Sequence, residues 1–385
     1  PGVTPVPPRS ARERAIRAAI FATFPYPRRL RLLSGPLRLA QRTGLDRFVQ
    51  RSSLAARVAP EMAAALRIAP TRRHSLPPEP AALEPAALEP AGQAARAPVR
   101  HTMPMQRAAT PVPASGHLPV QGERRAVVGM LTGCVQRVFF PEANAATARV
   151  LAAEGCEVVI PGGQGCCGAL SLHSGRKQEA ARFARRAIAV FERAGVDTIV
   201  VNSAGCGSAM KEYGLLLAQA GDDWADRAAR TAAKVRDFSE FLAELTAGDG
   251  GSRAPRHPLP VRAAYHEACH LGQAQRIRKQ PRDLLRAIPG LELAEVTGSA
   301  ACCGSAGVYN LLQPEAAGEL GARKAASVLA TGADLVISAN PGCSLQIATA
   351  MADTGHSDVP AVMHTAEVID ASVRGVSVAE LIGSR

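Results

Sequence analysis

The chain has 385 residues, a formal charge of +12, 47% hydrophobic and 4% aromatic residues, enough length for two or three domains with cores of their own. The charge is uneven: residues 1–125 hold 20 Arg, no Lys and 7 acidic residues, a net of +13, and the remainder sums to −1. No nucleic-acid-binding signature accompanies the basic excess, no apolar run approaches the roughly eighteen residues needed to cross a bilayer, and no secretory pattern opens the chain, so nucleic-acid binding, membrane spanning and export are set aside. The chain begins at Pro1 rather than Met, as expected of a piece of a longer protein.

Residues 1–69 read as a basic helical arm, with helical pieces over 10–60 broken by Pro25, Pro27 and Pro36. Arg12, Arg14 and Arg17 precede Ile20, Phe21 and Phe24, a pattern that suits a solvated or partner-docking surface, or a helix packed on a neighbouring domain. Residues 70–122 read as a linker: Pro-Ala-Ala-Leu-Glu recurs at 80–84 and 85–89, and such a composition buries too little apolar surface to offset its ordering entropy.

From residue 123 short apolar β-branched runs alternate with amphipathic helices. Strands are predicted over Ala126–Leu131, Cys156–Ile160 and Thr198–Val201, with helices over Ala145–Leu151 and Ser174–Ala194, the latter stopped by Gly195. The same order returns after residue 251: strands at Val261–Tyr265, Leu291–Val296 and Leu335–Ser338, and helices at Pro281–Ala287, Pro314–Ala330 and Ser344–Met351, with Ala361–His364 and Ala366–Val373 finishing the domain. The fold class expected is α/β, two tandem repeats at 123–250 and 251–385 with mainly parallel sheets.

The cysteines carry the duplication. Cys134, Cys166, Cys167 and Cys206 correspond to Cys269, Cys302, Cys303 and Cys343 at offsets of 135, 136, 136 and 137. Eight of the nine cysteines thus fall on one repeated frame, and the ninth, Cys156, is read as a small buried hydrophobe. Every cysteine of the frame follows a strand, and ligands of open parallel sheets sit beyond the carboxyl ends of the strands. Each quartet is therefore expected to converge on one edge of its sheet, with the neighbouring glycines admitting close backbone and offering amides to sulfur.

Three chemistries compete for four thiols. Structural zinc favours C-x₂-C knuckles, and adjacent cysteines are awkward for it. A redox dithiol favours C-x-x-C. An iron–sulfur cluster spreads its irons, so adjacent cysteines reach different ones, and four thiolates are its usual complement. The cluster is preferred, most naturally 4Fe-4S, with zinc as the alternative. His266 and His270 bracket Cys269, and His173 follows the first pair. They are read as hydrogen-bonded walls of the pocket, with ligand or proton donor as alternatives. Lys211-Glu212-Tyr213 reads as a solvated or interface face. No Ser-His-Asp arrangement, phosphate loop or dinucleotide fingerprint appears.

The pattern C-x₃₁-C-C-G-x₃₇-C, doubled to within a residue, resembles the cysteine-rich CCG domain of the heterodisulfide reductase B-type chains and of the iron–sulfur subunits of glycolate oxidase, lactate-utilisation and anaerobic glycerol-3-phosphate dehydrogenase complexes. The glycolate oxidase branch is the most similar, on Asn144–Leu151, Gly165-Cys166-Cys167-Gly168-Ala169, Ser203-Ala204-Gly205-Cys206-Gly207, Lys211–Gly214, Cys302–Gly307 and Ala339–Cys343. The resemblance spans about 124–373. It implies that Cys134, Cys166, Cys167, Cys206, Cys269, Cys302, Cys303 and Cys343 are the cofactor and metal ligands. It also implies electron transfer from FAD-containing glycolate oxidase subunits, in the cytoplasm or peripherally at the inner membrane face, with substrate oxidation left to the flavoprotein. Two departures stand out. The C-x-x-C ending of heterodisulfide reductase-type motifs reads Ser203-x-x-Cys206 and Asn340-x-x-Cys343 here, so a fifth thiolate is missing twice, and the family's ferredoxin-like section with two C-x₂-C-x₂-C-x₃-C-P runs does not occur in these residues. An upstream truncation or a degenerate member is expected.

Overall fold

The computed structural model describes residues 10–43, 65, 115–120, 122–248, 251–356 and 358–383. The repeated Pro-Ala-Ala-Leu-Glu segment lies outside the described residues. A short strand, β1 (Gly116–Leu118), closes the stretch read as linker and pairs antiparallel with β3. The apolar runs AVVGML, CEVVI and TIVV form β2 (Ala126–Leu131), β3 (Cys156–Ile160) and β4 (Thr198–Val201), and β5 (Val235–Asp237) completes the first sheet. The second sheet holds β6 (Arg262–His266), β7 (Glu292–Glu295), β8 (Leu335–Ser338) and β9 (Ala361–Met363).

The strand orders are β1-β3-β2-β4-β5 and β7-β6-β8-β9. Without the edge strand β1, the first order β3-β2-β4-β5 is the second order position for position, and every pairing within it is parallel. The duplication read from the cysteine frame is thus a duplication of topology. Helices cover the sheets as expected of doubly wound α/β units. Predicted and observed helix ends differ by a few residues: Lys177–Ala194 starts later than Ser174, with Arg176 at the N-cap, and ends on Gly195 at φ 62°.

The two halves share a core. One buried cluster joins Val128, Met130, Leu151 and Val158 of the first half to Tyr265, Leu285, Ile337 and Ile369 of the second. Helix Pro141–Ala153 of the first half faces helix Thr365–Arg374 of the second. Between them Arg149 donates from Nε and Nη2 to the buried Asp370 carboxylate, at 3.1 and 2.7 Å, and Arg374 Nε reaches the same carboxylate at 3.0 Å. A buried charge needs such pairing, because an isolated one would cost several kcal/mol.

A second seam runs along the carboxyl ends of the sheets. Ala204 N donates to Ala339 O at 3.0 Å, Gly205 N to Asn340 Oδ1 at 3.3 Å, and Gln275 Nε2 to Ala204 O at 3.0 Å. The pseudo-symmetric counterpart of the first bond would run from position 341 to Asn202 O, but Pro341 has no N–H. His364 supplies that donor: its Nδ1 accepts from Ala366 N at 3.0 Å, so Nε2 carries the proton and meets Asn202 O at 2.6 Å.

Of the readings of the arm, the structure shows the packed one, on the chain's own two halves. Helices α1 (Ala11–Thr23) and α2 (Pro27–Thr43) lie across both halves. Ile20 and Phe21 of α1 pack on Val308 and Leu311 of the second half, with Leu170 of the first half alongside. Arg17 Nη2 donates to Ser174 O at 3.0 Å, and the Arg176 guanidinium sits 4.6 Å from the Phe21 ring. The apolar residues between the arginines are therefore the contact face, and burial of a phenylalanine outweighs the solvation of a flexible arm. Phe21→Ala should remove about 3 kcal/mol of this docking. Hydrogen exchange should then show α1 losing protection while β2 and β8 keep theirs; unchanged protection in α1 would contradict the packing role.

Candidate metal centre

Each cysteine of the frame sits just past a strand end: Cys134 after β2, Cys166 and Cys167 after β3, Cys206 after β4, and Cys269, Cys302, Cys303 and Cys343 after β6, β7 and β8. Cys206 and Cys343 are each the third residue of the helix that follows, Ala204–Lys211 and Pro341–Ala352. All eight line a single cavity of about 710 Å³, which the two repeats enclose between them. Phe24, Leu30, Leu33 and Pro36 of the arm line the same cavity, so the arm roofs it. Cys156 lies on β3 outside both quartets, and burial pushes its thiol up to about 11. All nine cysteines are free thiols.

The local sequence explains how the thiols are aimed. The loop Gly162–Gly168 is pinned by Gln164, whose Oε1 accepts from Thr132 N at 2.9 Å and whose Nε2 donates to Met130 O at 2.9 Å. That ties the loop after β3 to the end of β2 and brings Cys166 Sγ to 3.5 Å from Cys134 Sγ. Gly168 and Gly304 are left-handed, at φ 90° and 92°. The turn folds the amide back on the chain's own sulfur: Gly168 N lies 3.3 Å from Cys166 Sγ, and Gly304 N lies 3.4 Å from Cys302 Sγ. A Cβ at Gly304 would meet Ala317 O at 2.5 Å, and one at Gly168 would meet Ala180 O at 3.0 Å, from the same position of the following helix in each repeat. The third letter of each Cys-Cys-Gly is therefore set by backbone conformation and by helix packing together.

Tyr213 corrects the reading of Lys211-Glu212-Tyr213 as a polar face. A break between helices Ala204–Lys211 and Tyr213–Leu217 turns the ring inward, where it is fully buried and its hydroxyl donates to Cys167 O at 2.7 Å. Lys211 pairs with Glu240 at 2.5 Å. Asn340 holds the position of the missing cysteine in the second repeat and donates from Nδ2 to Cys343 Sγ at 3.3 Å. Lys324, buried, donates to Gly298 O at 2.9 Å and steadies the loop before Cys302; in the first repeat Arg186 Nη2 does the same to Gly163 O at 2.9 Å. His173 and His270, one from each repeat, face each other with ring centroids 4.6 Å apart and line the cavity as walls. Burial and the neighbouring His270 hold His173 below the usual histidine range. His270 Nδ1 is 3.4 Å from Cys269 Sγ. His266 is buried, with its ring, Cys303 Sγ and Cys343 Sγ all within 4.8 Å of one another.

Crowding sets the charge state. In the first quartet sulfur contacts from Cys166 and Cys206 draw the Cys167 thiol well down, while contacts with Cys134 and Cys167 and burial push Cys166 up, and contact with Cys167 and burial push Cys206 up. In the second, Cys302 is drawn down by Cys269 and Cys303, and Cys343 by Cys303 with the field of His266 assisting, while Cys269 and Cys303 are pushed up. Negative charge thus pools on a subset of the sulfurs, because neighbouring thiolates in a buried site repel one another. A cation is what allows the rest to ionise. The donor set fits an iron–sulfur cluster: thiols at strand ends, adjacent cysteines able to reach separate metals, and amides of Gly168, Gly304 and Asn340 directed at sulfur.

Known proteins share this arrangement. The family of cysteine-rich domains designated CCG matches twice, over residues 128–211 and 263–348. Fold and thiol sites together define a tandem CCG-domain protein. The linker region of the glycolate oxidase iron-sulfur subunit matches residues 12–69, a stretch that includes most of α1 and all of α2. The chain is 33% identical over 358 residues to the probable glycolate oxidase iron-sulfur subunit of Bacillus subtilis, covering 93% of this chain and 72% of that one. It belongs to the glycolate oxidase iron-sulfur subunit family. It is also 34% identical over 247 residues to a subunit of the fumarate reductase (CoM/CoB) of Methanothermobacter marburgensis, covering 63% of this chain and 46% of that one. Lactate utilization protein A of an Exiguobacterium species is 31% identical over 248 residues, covering 64% of this chain and 98% of that one.

Two outcomes follow from the geometry. Gly304→Ala should cost at least about 1–2 kcal/mol for the left-handed residue alone, and more than Gly168→Ala because its Cβ clash is closer; urea unfolding midpoints of the two variants check the order. Loading the metal-free chain should release protons from the thiols that are held high, Cys166, Cys206, Cys269 and Cys303. Apparent metal affinity should therefore rise with pH, about tenfold per unit for each proton released. Metal titrations in weak and strong buffers at several pH values measure this, and affinity independent of pH would contradict it.

Proposed function

We propose that this chain is the iron–sulfur electron-transfer subunit of a glycolate oxidase (glycolate dehydrogenase) complex, receiving electrons from a FAD-containing subunit that oxidises glycolate to glyoxylate. One observation carries the reading: two quartets of buried and half-buried thiols face one cavity, beneath an arm that matches the linker of this family. We assign Cys134, Cys166, Cys167 and Cys206 to one centre, and Cys269, Cys302, Cys303 and Cys343 to the other. Iron–sulfur clusters, when bound there, supply one-electron uptake and release. The chain's own residues direct amides at the sulfurs, exclude bulk water with the roof of α1 and α2, and hold the two halves in register through Ala204, Asn340 and His364.

Hydroxy-acid oxidation is left to the flavoprotein, since the sequence carries no flavin or nicotinamide motif. Among the described residues no helix is long and apolar enough to cross a membrane. We place the protein in the cytoplasm, with peripheral contact at the inner membrane face through its partners, and divide it at 123–250 and 251–385 into two domains. Lactate-utilisation proteins support a second reading less well, because their likeness covers 64% of this chain, against 93% for the glycolate relative.

Anaerobic co-purification with the flavoprotein is expected to yield iron and sulfide in the chain, with little zinc. Glycolate should then bleach the visible iron–sulfur absorption, and Cys167→Ser together with Cys303→Ser should abolish bleaching while flavin reduction persists. Full transfer of electrons from glycolate to the native acceptor by the flavoprotein alone would rule the role out.

A further inference from the structure

The pseudo-symmetry of the two thiol sites fails at one buried residue. Leu131 ends β2 and His266 ends β6, each three residues before the first cysteine of its quartet. In the first repeat the position is aliphatic, and Leu131 packs in the same apolar cluster as Cys134, Cys166 and Cys167. In the second it is an imidazole, 1% exposed, grouped within 4.8 Å with the sulfurs of Cys303 and Cys343.

Neither ring nitrogen of His266 makes a hydrogen bond of good geometry to an oxygen or nitrogen, although both are sealed from solvent; the polar group it interacts with is the Cys343 sulfur. Leaving a buried polar group unpaired costs about 1–3 kcal/mol, and a structural histidine ordinarily avoids that cost. This protein shows the contrast directly: His364, also buried, has partners on both nitrogens, Ala366 N at 3.0 Å and Asn202 O at 2.6 Å. A buried imidazole whose polar neighbours are the sulfurs of Cys303 and Cys343 is the arrangement of a metal donor. Position 340, where a fifth cysteine would stand, is occupied by an asparagine already bonded to Cys343 Sγ. No other nitrogen or sulfur donor of this kind is grouped with that pair among the described residues.

We propose that His266 is a nitrogen donor to the metal centre of the second site, a ligand with no counterpart in the first, so that the two repeats hold chemically different centres. The inference rests on the reading of both quartets as metal centres. A neutral imidazole brings less negative charge to a cluster than a thiolate does, and exchanging thiolates for histidines raises cluster potentials. The second centre is therefore the one that fills first on reduction.

The test uses the full chain made with ¹⁵N-histidine, purified anaerobically and partly reduced, with nitrogen couplings read by pulsed EPR. An imidazole coupling that responds to the isotope is expected, absent in His266→Gln and retained in His270→Gln and in Cys166→Ser. His266→Gln should also lower the midpoint potential of one centre and leave the other unchanged, with iron per chain falling by no more than half. A labelled chain without isotope-sensitive coupling overturns the inference whether or not the variant folds, and so does a coupling that survives in folded His266→Gln. Metal analysis separates the two levels: zinc without iron or sulfide overturns the iron–sulfur reading alone. Zinc-edge X-ray absorption of the wild-type chain and His266→Gln then decides the nitrogen donor by the same criterion. A chain that holds no metal overturns both.

Discussion

Thiols buried in mutual contact cannot all carry charge in a medium that solvates charge poorly, and most of this architecture answers that constraint. Cys134 and Cys166 sulfurs lie 3.5 Å apart. Repulsion at that range is worth several kcal/mol at the dielectric of a partly buried site. The protein meets it with directed amides and shared protons rather than with charged side chains. Gly168 N and Gly304 N point at sulfur, and Asn340 adds a third donor. Gln164 and Tyr213 hold the loops that carry the cysteines without touching the sulfurs themselves. Each of these groups is neutral, which keeps the cavity receptive to a cationic centre instead of pre-filling it with an internal ion pair.

Duplication supplies two such sites, and the departures from symmetry show where the halves were obliged to differ. Proline at 341 removes one backbone donor from the seam, and His364 replaces it from a different helix. A five-residue π-turn, His270–Ala274, follows Cys269, where the first repeat has the α-helix Val135–Phe139 after Cys134. Such turns concentrate at functional positions because they re-aim a side chain at the cost of regular hydrogen bonding. The first site is walled by Leu131 and the second by His266.

The main features of this design are legible in the residues alone. The cysteine frame is, because its period coincides with strand ends, and strands of unbroken apolar β-branched residues announce a sheet covered on both faces. The strands β1 and β5 are not legible: Gly-His-Leu and Val-Arg-Asp are not apolar runs, and pairing with β3 and β4 defines them. Tyr213 reads as surface because its neighbours are Lys and Glu, and only the helix break before it turns the ring inward. The arm reads equally as a docking surface or as a packed helix, because the residues it rests on, Val308 and Leu311, lie most of the chain away. His266 is visible beside Cys269, yet a wall and a donor share the same spelling. What separates them is an inventory of hydrogen bonds that no linear pattern contains.

The placement of the arm has a consequence for biogenesis. On the ribosome α1 emerges early, and the residues it must rest on, Val308 and Leu311, emerge late. The roof therefore cannot shut before the chain has been made as far as Leu311, well after Cys134, Cys166, Cys167 and Cys206. Until then these four thiols of the first half stand without their roof. Covering the first site thus requires residues of the second half.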